Sequence, residues 1–226
     1  MSDVAQRMWQ PMLAMGAMII AAGVVLGIVS ATHADDYFGL SAATIAGAPA
    51  GSAIADDRSF YEAVSNGFLS PLLFLGLGFL LSGVTFLLAT ILGTLRDGGR
   101  SIQRAVGGRP VDLVKPLTAK LFPPVMMMAL MVLIAGLVAG LVVGVDQADY
   151  WQHASSQVSG GPQTAALASD LSDIQAIRAW LQPLDFVGMG LILSGIVLAL
   201  AAIVKALRVQ AGRVVQLAHR DAGAAS

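Results

Sequence analysis

Six side chains of the kinds that bind metals follow two apolar stretches of the sequence. They are His33, Asp35 and Asp36 after the first stretch, and Asp146, Asp149 and His153 after the third. Histidine with carboxylates suits zinc or copper, and carboxylates alone suit calcium. If the fold brings the two groups together, we expect a divalent metal or a partner to bind there; otherwise they form a solvated acidic rim. No other cofactor is expected, because the chain has no cysteine for thiolate chemistry or iron–sulfur clusters.

The apolar stretches themselves offer little catalytic chemistry. They contain no histidine and, apart from Asp185, no acidic side chain, although intramembrane ionisable residues are the usual mark of a functional site. We expect Asp185 to reach the membrane interface, or to pair with Arg178 or a partner chain. Neither a Ser-His-Asp arrangement nor a phosphate-binding loop is visible. The sequence therefore favours a protein that is not an enzyme.

Four apolar stretches are each long enough to cross a bilayer, which takes roughly 20 residues. They cover about residues 11–31, 69–95, 124–145 and 184–207. Only 12% of the chain is charged, about half the share found in soluble domains. These features predict an all-α membrane protein with four transmembrane helices. The first stretch is longer than the apolar region of a signal peptide, so we expect it to be retained.

Charge is segregated between the loops. The connection between spans two and three and the tail after span four are basic, whereas the other two loops are acidic. The positive-inside rule then places both termini in the cytoplasm of a bacterium, with the chain crossing its cytoplasmic membrane. Six basic residues are expected to contact lipid headgroups: Arg96, Arg100, Arg104, Lys205, Arg208 and Arg213. A net charge of −1 predicts no general attraction to nucleic acid.

The two halves of the chain resemble each other. A shift of 113 residues places Gly23 on Gly136 and Tyr37 on Tyr150, and a shift of 112 places Leu69–Arg96 on Leu181–Arg208. We interpret residues 1–113 and 114–226 as two tandem helical hairpins. Because both hairpins point the same way, they should be related by an axis along the membrane normal, as in parallel repeats.

Small residues recur at four-residue spacing in every span. Lipid gives helices little hydrophobic reason to associate, so they pack where small residues allow close backbone approach. The predicted helix-packing residues are Gly23, Gly27, Gly136, Gly140, Gly144, Gly78, Ser82, Gly190 and Ser194. Packing within the chain is the simplest interpretation. An interface with another subunit is the alternative, and the longer glycine series of span three makes that span the better candidate.

Amphipathic segments precede spans two and four. Residues 58–71 and 169–183 carry apolar side chains at helical spacing, with aromatic residues suited to the headgroup region. We expect two short helices lying on the membrane surface, with a partner-docking surface as the alternative.

Taken together, the sequence predicts a non-enzymatic integral subunit: a scaffold, assembly or accessory component of a membrane complex, or a homo-oligomer. Its expected partners are membrane lipids and other membrane subunits or copies of itself. A small-solute pore or carrier is the first alternative, which a polar cavity between the hairpins would favour. A periplasm-facing metal or ligand site, enzymatic or sensory, is the second.

Overall fold

The computed structural model describes residues 3–105, 117–153, 155–158 and 165–224. These residues form helices throughout, joined by short turns. The helices are α1 (Asp3–Phe38), α2 (Ala42–Ala46), α3 (Ala53–Tyr61), a π-helix (Glu62–Phe68), α4 (Leu69–Ala105), α5 (Leu117–Trp151), α6 (Ser155–Val158) and α7 (Ala165–Ala224). Four of them are long and apolar enough to cross a membrane. The all-α fold and the four spans predicted from the sequence are therefore confirmed.

The helices extend well beyond the apolar stretches. The 60 residues of α7 measure about 90 Å, roughly three times the thickness of a hydrocarbon core. Residues 169–183 are thus part of α7 and not a separate surface helix, and residues 58–71 likewise run through α3 and the π-helix into α4. The prediction of separate short helices before spans two and four is wrong. Pro183 lies inside α7 without ending it, as prolines in membrane helices often do.

The π-helix keeps one face of the α3–α4 rod turned towards its neighbours. Buried residues recur every four positions here, at Ser59, Ala63, Gly67 and Pro71. In a pure α-helix this spacing would drift around the surface, because an α-turn has 3.6 residues. The i→i+5 bonding of a π-helix accommodates more residues per turn and holds the series in line.

α5 and α7 form an antiparallel pair with a continuous seam. Buried residues alternate at spacings of three and four on both helices, which is the pattern of knobs-into-holes packing. On α5 the series is Met126, Ala129, Leu133, Gly136, Gly140, Val143, Gln147 and Tyr150, and on α7 it is Leu181, Asp185, Gly188, Ile192, Gly195, Ala199 and Ala202. Gly140 and Gly144, which is also buried, face the π-helix and the start of α4 instead of α7. The direction follows from the contacts, since Met126 meets Gly195 and Leu133 meets Gly188.

α1 packs antiparallel to α4 along a much narrower stripe. Its fully buried residues come once every seven positions, at Gly16, Gly23, Ser30 and Tyr37. In the most apolar 18-residue stretch of α1, only 11% is buried. The corresponding share is 33% in the segment that contains α4. The principal neighbours of α1 are α3 and α4, whereas α4 also packs against α5 and α7. α1 therefore lies at the edge of the four-helix arrangement and α4 lies at its centre.

Candidate functional site

One pocket in the described part of the chain is an acidic groove at the loop end, the end of the molecule where the connections after α1 and α5 lie. Its volume is about 610 Å³, within the range of small-molecule sites. It lies between the end of α5 and the start of α7, and its polar lining consists of Asp146, Asp149, Tyr150, Gln152, His153, Asp170 and Asp173. The groove thus gathers one of the two predicted ligand groups and adds two carboxylates from α7.

The orientation of His153 is set by its own helix. Its Nδ1 lies 3.0 Å from the carbonyl oxygen of Asp149 and 3.2 Å from that of Tyr150. Because carbonyl oxygens only accept, Nδ1 carries the proton and Nε2 is the nitrogen left to bind a ligand. Within the described ranges, no three His, Asp or Glu side chains are grouped closely enough to hold a metal ion.

The other predicted ligand group has a different environment. His33 Nδ1 lies 2.7 Å from Oδ1 of Asp57 on α3, and its ring packs against Phe60 at 4.4 Å between centroids. Asp35 and Asp36 are exposed at the end of α1. The structure therefore pairs His33 with an α3 carboxylate that the sequence did not single out. None of these three residues lines the groove.

Arg58 joins the two halves of the molecule at the loop end. Its guanidinium donates to the hydroxyl of Tyr37 at 2.8 Å and stacks on the ring of Trp151, with Cζ 3.5 Å from the ring centroid. Tyr37 lies in the last turn of α1 and Trp151 is the last residue of α5, so one side chain of α3 links both helices. The backbone strengthens this link, because Gly51 N donates to the carbonyl oxygen of Gln152 at 3.0 Å.

We expect Arg58→Ala to lower the free energy of unfolding by about 1–3 kcal/mol, since it removes a charge-assisted hydrogen bond and a cation–π contact. Arg58→Lys should recover only part of this loss, because an ammonium group lacks the flat face that stacks on Trp151. Unfolding titrations with a denaturing detergent in mixed micelles would measure both. Equal stability of the wild type and the Arg58→Ala variant would show that Arg58 does not link α1 and α5.

Asn66 and Arg178 form a second polar link, between the π-helix and α7. Arg178 Nη2 donates to Oδ1 of Asn66 at 2.5 Å, and Nδ2 of Asn66 donates to Glu62 at 2.6 Å. Arg178 thus bonds to the π-helix, and it is not a hydrogen-bond partner of Asp185. Eight residues further along each helix, the rings of Phe74 and Phe186 meet edge to face at 5.7 Å.

Most of the predicted packing glycines lie at contacts between helices of the chain. A Cβ on Gly23 would meet Leu73 of α4, one on Gly136 would meet Asp185 of α7, and Gly140 and Gly144 face the π-helix and the start of α4. Gly27 has the looser surroundings of ordinary van der Waals contact with Leu69. The glycine series of span three therefore contacts other helices of the same chain.

The small residues predicted to pack in spans two and four have different surroundings. Gly78 and Ser82 of α4 are buried, and Leu133 of α5 covers Gly78. Gly190 and Ser194 of α7 are exposed. Nothing in the described part of the chain lies within 4 Å of a Cβ placed on Gly190, and the Ser194 hydroxyl donates to the Gly190 carbonyl oxygen at 2.8 Å.

The predicted headgroup contacts lie at the opposite end from the groove. Lys205 and Arg208 are exposed on α7. The side chains of Arg96, Arg100, Arg104 and Arg213 lie outside the described residues.

Asp185 is the functional candidate whose environment sequence reasoning missed. Instead of reaching the interface or Arg178, its side chain is turned into the α5–α7 seam and is 1% exposed. The signal was present in the sequence, since Asp185 falls on the same three-four spacing as Leu181 and Ile192. That spacing predicts a buried face.

Comparison with protein-family models, curated proteins and solved structures finds no match. The class of protein therefore follows from the fold alone. Four long apolar helices define a multi-pass α-helical membrane protein.

Proposed function

We propose that this chain is a non-enzymatic integral membrane subunit that packs against copies of itself or other membrane subunits through a small-residue helix face. The observation that carries this proposal is the exposed Gly190–Ser194 face of α7. Small residues at this spacing let helices approach closely in lipid. No side chain from the described part of the chain occupies the space beside Gly190, where a Cβ would meet no atom within 4 Å.

An internal repeat strengthens this interpretation. We propose that residues 1–113 and 114–226 are two parallel hairpins related by a pseudo-two-fold axis along the membrane normal, between α4 and α7. Residues at equivalent positions meet each other there, as expected for positions close to such an axis. Asn66 and Arg178, which are 112 positions apart, are hydrogen-bonded, and Phe74 and Phe186, with the same separation, are in ring contact.

Within this repeat, no described helix covers α7 at Gly190 in the way that α5 covers α4 at Gly78. Gly78 and Ser82 correspond to Gly190 and Ser194; both residues of the first pair are buried, and Leu133 of α5 covers Gly78. The counterpart of α5 in the first hairpin is α1, but α1 packs principally on α3 and α4. The position beside Gly190 that symmetry would assign to α1 is therefore open to a helix of another chain.

The contacts between α4 and α7 favour a subunit over a pore. Bulky apolar side chains, Phe74, Phe186 and Leu133, lie where the two helices approach each other. A conducting path along the proposed axis would require polar groups or water at that level.

The proposed setting is the cytoplasmic membrane of a bacterium, with both termini in the cytoplasm. Its support is the charge distribution, because the acidic groove and the exposed basic residues Lys205 and Arg208 lie at opposite ends of α7. In this orientation the groove faces the periplasm and the basic residues meet anionic headgroups.

Native mass spectrometry of protein extracted from its host in mild detergent tests the proposal. We expect the wild type to be recovered with copies of itself or with reproducible partner subunits. The double variant Gly190→Leu/Ser194→Leu should be recovered as a single chain, because two large side chains prevent close approach of the partner helix. It should still fold, since the surroundings of Gly190 are open.

The matched control is Gly93→Leu on α4, where a Cβ would also meet no atom of another described helix within 4 Å. It adds the same side chain to a membrane helix and should leave the complex intact. A wild-type protein found as a lone chain would contradict the proposal. Retention of the partner by the double variant would place the interface elsewhere.

A further inference from the structure

One carboxyl group lies in the α5–α7 seam without a partner. Asp185 is 1% exposed, and neither of its carboxylate oxygens has a hydrogen-bond partner among the described residues. Oδ1 is directed at Gly136, where a Cβ would lie 2.8 Å away. The absence of a side chain on Gly136 thus provides the space that the carboxyl group occupies. Buried polar groups are almost always hydrogen-bonded, so this arrangement requires a physical explanation.

A second buried polar group on α5 lacks a partner for its side-chain oxygen among the described residues. Gln147 is buried, and its Oε1 has no hydrogen-bond partner within the described part of the chain. It follows Gly136 along the buried face of α5 at a distance of about 16 Å. One position further along that face, Tyr150 lines the acidic groove. Along the axis of α5, Gln147 therefore lies between Tyr150, which lines the groove, and Gly136, which faces Asp185.

The charged groups nearest to Asp185 along the helices lie towards the groove. On α7 the nearest is Arg178, about 10 Å away along the helix, and Lys205 in the other direction is about 30 Å away. On α5 the nearest is Asp146, and on the rod formed by α3, the π-helix and α4 it is Glu62. Asp173 lies beyond Arg178 and lines the groove. Asp185 is thus the one ionisable residue in the sequence between these outer groups and the basic ends of the helices.

We propose that Asp185 is a proton-binding site whose loading controls whether the α5–α7 seam is closed or open between Asp185 and the groove. This inference does not depend on the proposed function.

The closed seam accommodates only the neutral acid, because an isolated carboxylate without a counter-charge is strongly disfavoured in an apolar interior. Loss of the proton leaves a charge that needs water. The groove is the nearest source of water, and separation of the groove-side halves of the two helices connects it to Asp185. Proton binding from the groove reverses the change.

Distance measurements between spin labels test the proposal, and the absence of native cysteine makes them specific. One labelled pair, V145C with I177C, reports on the groove side of Asp185, and a second pair, M127C with L193C, reports on the opposite side. All four positions are exposed. Each pair is measured in lipid nanodiscs from about pH 5 to about pH 9, a range that covers documented titrations of buried carboxyl groups.

We expect the groove-side pair to gain a second, longer distance as the pH rises, while the other pair stays unchanged. Asp185→Asn should keep the short distance at every pH. Asp185→Leu provides a second neutral variant, so that one of the two remains usable if the other does not fold. Asp173→Asn, which alters an exposed acid of the groove, should behave like the wild type.

Two results would overturn the proposal. In one, the groove-side distance of the wild type is the same at both ends of the pH range. In the other, the Asn and Leu variants open with pH as the wild type does, which would assign the change to the carboxylates of the groove.

Discussion

Leu133→Ala is expected to lower the free energy of unfolding by about 2–5 kcal/mol, the usual cost of truncating a fully buried leucine. Leu133 is 0% exposed, and its two methyl groups occupy the spaces left by Gly78 of α4 and Gly188 of α7. One side chain of α5 therefore fills notches in two other helices. In lipid, the loss of stability comes mainly from lost packing contacts and less from hydrophobic transfer. The two glycines have no side chain that could move into the cavity.

Leu141→Ala on the same helix is the matched control, because Leu141 is 45% exposed. It makes the same chemical change at a position facing away from the seam, and we expect an effect of at most about 0.5 kcal/mol. Unfolding titrations in mixed micelles would compare the two. Similar losses for both variants would show that Leu133 does not connect α4, α5 and α7 in the way the packing indicates.

Hydropathy predicted the four spans because it reports which segments suit lipid, and each lies within a helix of the structure. It did not predict where the helices end. Residues 169–183 are too polar to be counted as a span, yet they continue α7 because Leu171, Ile174 and Leu181 pack at the end of α5 in a cluster with Val143 and Tyr150. That support comes from tertiary contacts and leaves no signal in mean hydropathy.

The loop-end residues illustrate a second limit. Their types were correctly recognised as possible ligands, and Asp146, Asp149 and His153 do line one groove. Their partners depend on where the helices after the loops return. His33 is paired with Asp57 of α3, because α3 returns alongside α1. Similar residue types after α1 and α5 therefore have different surroundings.

Small-residue spacing indicated helix faces without identifying their partners. Gly144 was predicted to pack, but its closest counterpart, Gly67, was not. Gly67 lies within the π-helix. It is not part of a regular series of glycines, so the sequence offered no reason to predict a packing contact there. The close approach of two glycines from separate helices becomes visible only when both helices are placed.

Gly67→Ala is expected to destabilise the protein by about 1–3 kcal/mol, the cost of inserting a methyl group into a tightly packed contact. A Cβ on Gly67 would lie 2.7 Å from the Cα of Gly144 and 3.0 Å from its backbone nitrogen. Both atoms belong to the backbone, so the helices must separate. Gly93→Ala, at an open position of α4, should instead stabilise by about 0.5–1 kcal/mol through helix propensity, so the two substitutions have opposite signs.

A double-mutant cycle makes this prediction more specific. A Cβ on Gly144 would lie 3.0 Å from the carbonyl oxygen of Ala63 and 3.1 Å from Phe68, so Gly144→Ala should also destabilise. Because a single separation of α5 from the π-helix relieves both clashes, the double variant should lose less stability than the sum of the single variants, by about 0.5 kcal/mol or more. Strict additivity would mean that the two glycines act at independent sites, and the close contact between these helices would then not limit the packing of α5.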